Sequence, residues 1–399
     1  MRKTTVAIVA VTGLVAHVAS AQNSVTLYGV VDNGLAYQNN GTTLGSSAQG
    51  HSLVKMSTGV WLGDRFGLKG SEDLGGGSKA IFTLESGFAG TNGASQYTGG
   101  LFTRQAWVGV TNAAYGTLTA GRQYTAYYTL LAPYSPTTWL TGYFGAHPGD
   151  IDSLDSLYRV NNSLVYLSPS FHGLTFGASY AFGGEPGSLN AGSTWSAGLQ
   201  YLSGPFGIGA AFQRINNSTS GGGAWGAYST TSNGGAQTAV SAINNGYVTA
   251  QAQQRVAVTA GYKFSPAWEV TASYSNVQYI PGANSTFRDT AIFNTLGAVL
   301  HFKPAAAWDF GAGYAYTRAT KANGATNGAR YQQFTLTQYY ALSKRTGLYA
   351  AQAYQHASGQ TLNNGAVVDA TASIGDGFSG NPSSTRSQIG VGVGLVHRF

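Results

Sequence analysis

Apolar and polar side chains take turns along most of this chain, the period-two signature of strands with one apolar and one wet face. The stretch "DRFGLKGSEDLGGGSKAIFTLESGF" (64–88) shows it most densely. Arg65 and Lys69 share one face of a strand there, while Phe66 and Leu68 share the other. After a glycine-rich turn the habit resumes with Lys79, Phe82, Leu84 and Glu85. In "VTASYSNVQYI" the alternation is looser, but at the C-terminus Val391, Val393, Leu395, His397 and Phe399 oppose Gly390, Gly392, Gly394 and Arg398.

Read this way, the sequence predicts sixteen strands. They cover 24–37, 61–72, 78–88, 101–112, 116–125, 158–169, 173–183, 193–203, 205–216, 252–265, 267–280, 290–302, 307–319, 330–343, 346–357 and 385–399. Each is long enough to cross a bilayer at a tilt, which takes about 9–11 residues. Short and long connections alternate strictly, the long ones being 38–60, 89–100, 126–157, 184–192, 217–251, 281–289, 320–329 and 358–384. An up-and-down meander whose two ends face different compartments has that order, as outer-membrane barrels do, and a β-sandwich has no reason to keep it.

Composition sharpens the picture. Charged residues make up 9% of the chain, against roughly 25% in a soluble domain. There are 57 Gly, 25 Tyr and 18 Phe, and the aromatics gather near strand ends (Tyr28, Tyr37, Tyr201, Phe264, Tyr274, Tyr354), where interfacial girdles belong. A mean hydropathy of -0.07 is too polar for a helical membrane protein. Arg on the lipid face at the midplane costs about 2–4 kcal/mol, so Arg65 and Lys69 are expected to look inward into water. The predicted fold is therefore all-β: a transmembrane, 16-stranded, antiparallel, up-and-down β-barrel. Sixteen strands leave an aqueous lumen where about eight are filled by side chains.

Residues 1–21 read as a separate unit, a secretory signal peptide. Arg2 and Lys3 precede the apolar run Val6 to Ala16, and Ala19-Ser20-Ala21 fits the small-residue cleavage rule, leaving 22–399 as the barrel domain. Cysteine is absent, so disulfides hold nothing. The net charge of +7 falls by two with the leader; the excess favours anions, but no basic run marks a nucleic-acid tail.

The motifs "SVTLYGVVDNGLAY", the block 64–88, "RQAWVGV", "GTLTAGRQYT", "RVNNSLVY" and the terminal "GVGLVHRF" resemble the trimeric general-diffusion porins of the Gram-negative outer membrane, especially the betaproteobacterial branch. The resemblance implies a homotrimer in outer-membrane lipid whose third external loop folds inward, with acids on that loop facing a ladder of bases. On the matching positions the basic wall is Arg65, Arg104, Arg159 and Arg122, with Lys69 and Lys79 as further candidates. The acidic side is Asp150, Asp152 and Asp155 in loop 126–157, with Glu85 in the lumen. The terminal Phe399 is the residue that the outer-membrane assembly machinery reads in such proteins. Two departures stand out: Asp64 precedes Arg65, where a local ion pair could blunt the base, and strand one offers Val30 in place of a base.

Other chemistry is poorly served. "HPGDIDSLDS" (147–156) has carboxylates for a hard cation, but Leu154 stands where an EF-hand needs its third acidic ligand. "GGGSK" (75–79) has Ser-Lys where a phosphate loop needs Lys-Ser, and a strand follows. The seven His are scattered and no G-x-S-x-G elbow appears, so neither a metal, a cofactor nor an enzyme is expected. Passive diffusion of small hydrophilic solutes and ions, with a possible anion bias, is the expected function. Two alternatives are a solute-specific channel, for which Tyr124, Tyr127, Tyr128, Tyr134, Trp139, Tyr143 and Phe144 could form an aromatic path, and a surface adhesin or structural barrel with long Gly/Ser-rich loops.

Overall fold

The alternating segments pair edge to edge into one closed wall. The computed structural model describes residues 24–399 except 47, 97–98, 156, 227–239 and 378; the expected signal peptide lies outside the described residues. Strands β1 (Ser24–Gly41), β2 (His51–Thr58), β3 (Arg65–Gly75), β4 (Ser78–Gly87), β5 (Gln105–Asn112) and β6 (Gly116–Gln123) lead into the third long connection. After it come β7 (Val160–Leu167), β8 (Leu174–Ala181), β9 (Thr194–Ser203), β10 (Phe206–Asn216), β11 (Ala252–Ser265) and β12 (Trp268–Ile280). Then follow β13 (Ala291–Ala305), β14 (Trp308–Ala319), β15 (Arg330–Ala341) and β16 (Thr346–Ser358). A small hairpin, β17 (Gln360–Asn363) and β18 (Ala366–Asp369), precedes the final strand β19 (Ser387–Arg398).

Every pairing in the wall is antiparallel between neighbours, and β19 returns to β1 from Val30↔Arg398 to Gln38↔Gly390. The terminal Phe399 completes the seam, exchanging backbone hydrogen bonds with Gly29 at 3.1 Å in both directions. Closure leaves the wall no free edge, which is what a bilayer demands of a sheet.

The count of sixteen holds, but the second stave is split. β1 pairs with β3 through Ser24–Val30 and with β2 through Asn33–Gly41, both along the same edge. The two half-strands thus form one interrupted stave, and residues 59–64 leave the wall between them. His51–Thr58 had read as part of a connection, as had the β17–β18 hairpin.

Faces sort as the alternation requires. On β12, Ala272 and Tyr274 are exposed while Thr271, Ser273, Ser275 and Val277 are buried inside. The outward faces carry Leu27, Phe66, Leu68, Val108, Leu199, Leu296, Leu336 and Val393, all well exposed in the isolated chain. Outside lies oil and inside lie hydroxyls and amides.

Candidate pore constriction

The third long connection folds into the barrel, as expected. Helix α1 (Ala126–Leu131) starts it, followed by the one-turn helices α2 (Thr137–Leu140) and α3 (Gly142–Gly145). Backbone groups inside a lumen need partners, and the inner wall supplies them. Gln200 Nε2 donates to the Leu130 carbonyl at 2.7 Å and Thr259 Oγ1 to that of Leu131 at 2.9 Å. Farther along, Thr337 Oγ1 donates to the Trp139 carbonyl, and Gln333 Nε2 and Thr335 Oγ1 both donate to that of Phe144. Trp139 stacks on His301 at 3.6 Å, and the fully buried Phe144 lies on Gly390 and Gly392. A Cβ on those glycines would come within 2.5 and 2.7 Å of the ring, so only glycine admits the loop there.

With the loop against that side, the open passage runs along β2 to β5. A cavity of about 750 Å³ is lined by Arg65, Glu85 and Arg104 on the wall and by Thr138, Tyr143 and Asp155 from the loop. Arg104 Nε donates to Glu85 Oε1 at 2.8 Å, and Arg65 Nε stands 3.8 Å from Oε2. Tyr28 Oη donates to the same Oε2 at 3.0 Å. Arg159 Nη2 donates to Tyr124 Oη at 2.7 Å with its guanidinium 4.7 Å from that ring, and Arg104 Nη2 reaches the same hydroxyl at 3.4 Å. Three guanidiniums are thereby strung together through one carboxylate and one phenol.

The family model described as Gram-negative porin matches residues 4–360. The chain belongs to that family. Its place is the Gram-negative outer membrane. Among curated relatives, an outer membrane porin protein of Bordetella pertussis is 33% identical over 241 residues, covering 55% of this chain and 61% of that one. Outer membrane porin protein 32 of Delftia acidovorans is 34% identical over 168 residues, covering 41% and 45%. This porin therefore matches about half to three-fifths of the length of those relatives. An anion-selective porin from Comamonas acidovorans has a similar fold, with a TM-score of 0.69 at 23% identity over 95% of this chain and all of that one.

The remaining expected site residues of the porin divide. Lys69 looks inward, its ammonium 5.5 Å from the Tyr28 ring, but four residues below Arg65, about 13 Å along the strand. Lys79 pairs with Asp73 beside the short turn, six residues from Glu85 and so about 20 Å from the constriction. Arg122 does not line the passage. It shares the outward side of β6 with Leu118, opposite Ala106 on the outward side of β5, and clamps the wall by donating to the Thr103 carbonyl and Asn161 Oδ1, both at 2.6 Å. The β6–β7 register shifts between Gly121 and Gln123, with the extra residue on β7, so the outward face of Arg122 follows the alternation of β6.

Of the three loop aspartates only Asp155 lines the cavity. Asp152 is fully buried between loop and wall, accepting from Ser275 Oγ at 2.6 Å and paired with His147 Nδ1 at 2.6 Å, while His147 Nε2 meets Ser273 Oγ at 3.0 Å. Burial pushes its carboxyl up, but the His147 pairing, the Ser275 hydrogen bond and the charge of Arg255 outweigh that and hold it below the ordinary range. Asp150 is also buried; Oδ1 accepts the Asp155 N–H at 3.0 Å and Oδ2 has no hydrogen-bond partner. Burial first, then the charges of Asp155 and Asp152, raise its carboxyl well above the usual range. Among the described residues no group of three His, Cys, Asp or Glu converges as metal ligands would.

Asp64 does not pair with Arg65. Its carboxylate accepts the backbone N–H of Asp32 at 2.6 Å and of Gly90 at 2.9 Å, and the Thr58 hydroxyl. Glu85 belongs to the basic wall itself instead of opposing it. Three participants escaped the sequence reading. Tyr124 was weighed only as part of an aromatic path; Lys55 lines the cavity from the unrecognised β2; Arg255, donating to the Ile151 carbonyl at 3.2 Å, clamps the loop. The alternation of "HSLVKMST" was the signal that could have revealed Lys55.

Proposed function

We propose that this porin is a water-filled channel, not an enzyme, through which small hydrophilic solutes and ions diffuse passively with a bias for anions. One observation carries the reading: Arg65 and Arg104 flank the carboxylate of Glu85 on one wall of the constriction, with the buried Arg159 behind them on the Tyr124 hydroxyl that Arg104 also reaches. Positive charge gathered beside a narrow passage with low-dielectric walls raises the local concentration of anions. Asp155 lines the same cavity from the loop, and acid and bases together set a field in the opening. The anion-selective neighbour of similar fold supports the same direction.

A homotrimer fits the outer surface. Large aromatics (Trp195, Tyr201, Tyr262, Phe264, Trp268, Trp308, Tyr314, Tyr340) ring the outward faces from β9 to β15. The outward faces of β1 to β6 are mostly aliphatic, with Val25, Leu27, Val54, Met56, Val108, Val110 and Leu118. A sector with few exposed aromatics suits protein contact better than lipid. In this reading residues 1–21 are removed on export, and Phe399 is presented to the assembly machinery.

Planar-bilayer recording tests the function. Non-saturating conductance in three equal steps is expected, with a reversal potential in a salt gradient that favours anions. Changing Arg65, Arg104 and Arg159 together to Ser should move that potential towards cations. Unchanged selectivity rejects the basic wall, and absent conductance rejects the channel.

A further inference from the structure

Between β2 and β3 the chain abandons the wall for Gly59 to Asp64, and two buried carboxylates hold it there. Asp32 Oδ2 accepts the backbone N–H groups of Trp61 at 2.6 Å and Leu62 at 2.7 Å, while Oδ1 accepts the Tyr349 hydroxyl at 2.5 Å. The Gly59 N–H donates to the Asp32 carbonyl at 2.9 Å. Burying two carboxylates is costly unless every lone pair is used, so this is a built feature and not slack. What it displays is apolar: Trp61 and Leu62, partly exposed, line the same cavity as Arg65 and Arg104. Trp61 is braced by Tyr339 at 5.1 Å and Tyr349 at 5.6 Å, at shallow interplanar angles.

The charge next to it is the most available of the wall. Arg65 is separated from Trp61 by three residues and keeps 23% of its side chain exposed, against 4% for Arg104. Its nearest carboxylate oxygen, at 3.8 Å, lies beyond hydrogen-bonding distance, and Nη1 donates to the Gly63 carbonyl. A guanidinium has five donors in a fork that matches a carboxylate.

We infer that the constriction favours carboxylates with an aromatic body, the anion meeting Arg65 and the ring meeting the Trp61 platform. This rests on the basic-wall reading above and adds a solute class to it. Stacking of one ring on another adds roughly two- to ten-fold in affinity, enough to slow a passing solute without trapping it.

The test uses the intact porin in planar bilayers, with potassium chloride carrying the current. Benzoate should depress that current saturably at concentrations roughly two- to ten-fold below acetate, and benzylammonium should do so no better than acetate. Trp61→Ala should erase the difference between benzoate and acetate while leaving the reversal potential where it was. Trp61→Phe, which keeps a ring, should retain most of it; Trp61→Leu, apolar but without a ring, replaces the alanine variant if that one fails to assemble. An anion-biased wild type that treats benzoate and acetate alike overturns the inference alone. So does a ringless variant that keeps the preference. A wild type without anion bias removes the basic-wall reading and this inference with it.

Discussion

Arg104 Nε stands 2.8 Å from Glu85 Oε1 with its side chain nearly buried, whereas Arg65 holds the other carboxylate oxygen at 3.8 Å and stays partly in the passage. The carboxylate therefore spends most of its charge on the buried base. Glu85→Gln should unmask both guanidiniums and shift the reversal potential further towards anions; a shift towards cations would contradict the arrangement. Glu85→Ala strands the buried Arg104 and should cost about 3–5 kcal/mol, seen as a lower temperature at which the folded band converts on a gel.

The pairing of His147 with Asp152, itself tied to Ser275 of the wall, is the middle anchor of the inward loop. Because the folded carboxyl titrates below its unfolded value, its contribution is complete above the unfolded pKa of about 3.9 and is lost as pH falls through the folded one. Asp152→Ala should expose the loop to protease at neutral pH. The wild type should approach that susceptibility only in strong acid.

Asp150 has the opposite sign. Its carboxyl titrates well above the unfolded value, so it favours the folded state in acid and opposes it as pH rises past about 4. Asp150→Asn should raise the thermal midpoint at neutral pH, and the gain should vanish below about pH 4. A variant less stable at neutral pH than the wild type would show that the charged form is needed.

Gly390 leaves room for the Phe144 ring that seats the loop on the last strand. Gly390→Val should displace the ring, cost about 1–3 kcal/mol in overpacking, and push the loop into the passage. The expected readout is a smaller single-channel conductance with an unchanged reversal potential.

Much of the wall was legible in the sequence, because a strand with oil on one side and water on the other must alternate. Thr271 and Tyr274, or Gly392 and Val393, sort correctly from spacing alone. The interrupted stave was hidden because Gly59 to Asp64 breaks the alternation that would have joined His51–Thr58 to its continuation. Arg122 was assigned from the motif "GRQY"; counted along β6 from the exposed Leu118, alternation itself turns it outward. Lys79 has the right face but the wrong height, which alternation does not encode. Asp152 was misjudged because its role depends on Ser275, more than 100 residues away along the chain, and Asp150 because its burial is not encoded in spacing. Arg65, Arg104 and Asp155 line the cavity, whereas Arg159 is fully buried and outside its lining.

The two backbone hydrogen bonds between Gly29 and Phe399 lie on the seam where the first strand of the wall meets the last. A chain that lacks β19 cannot make them, so the cylinder cannot shut before that strand is in place. Until then the first strand keeps one flank bare, an invitation to mispairing with other chains.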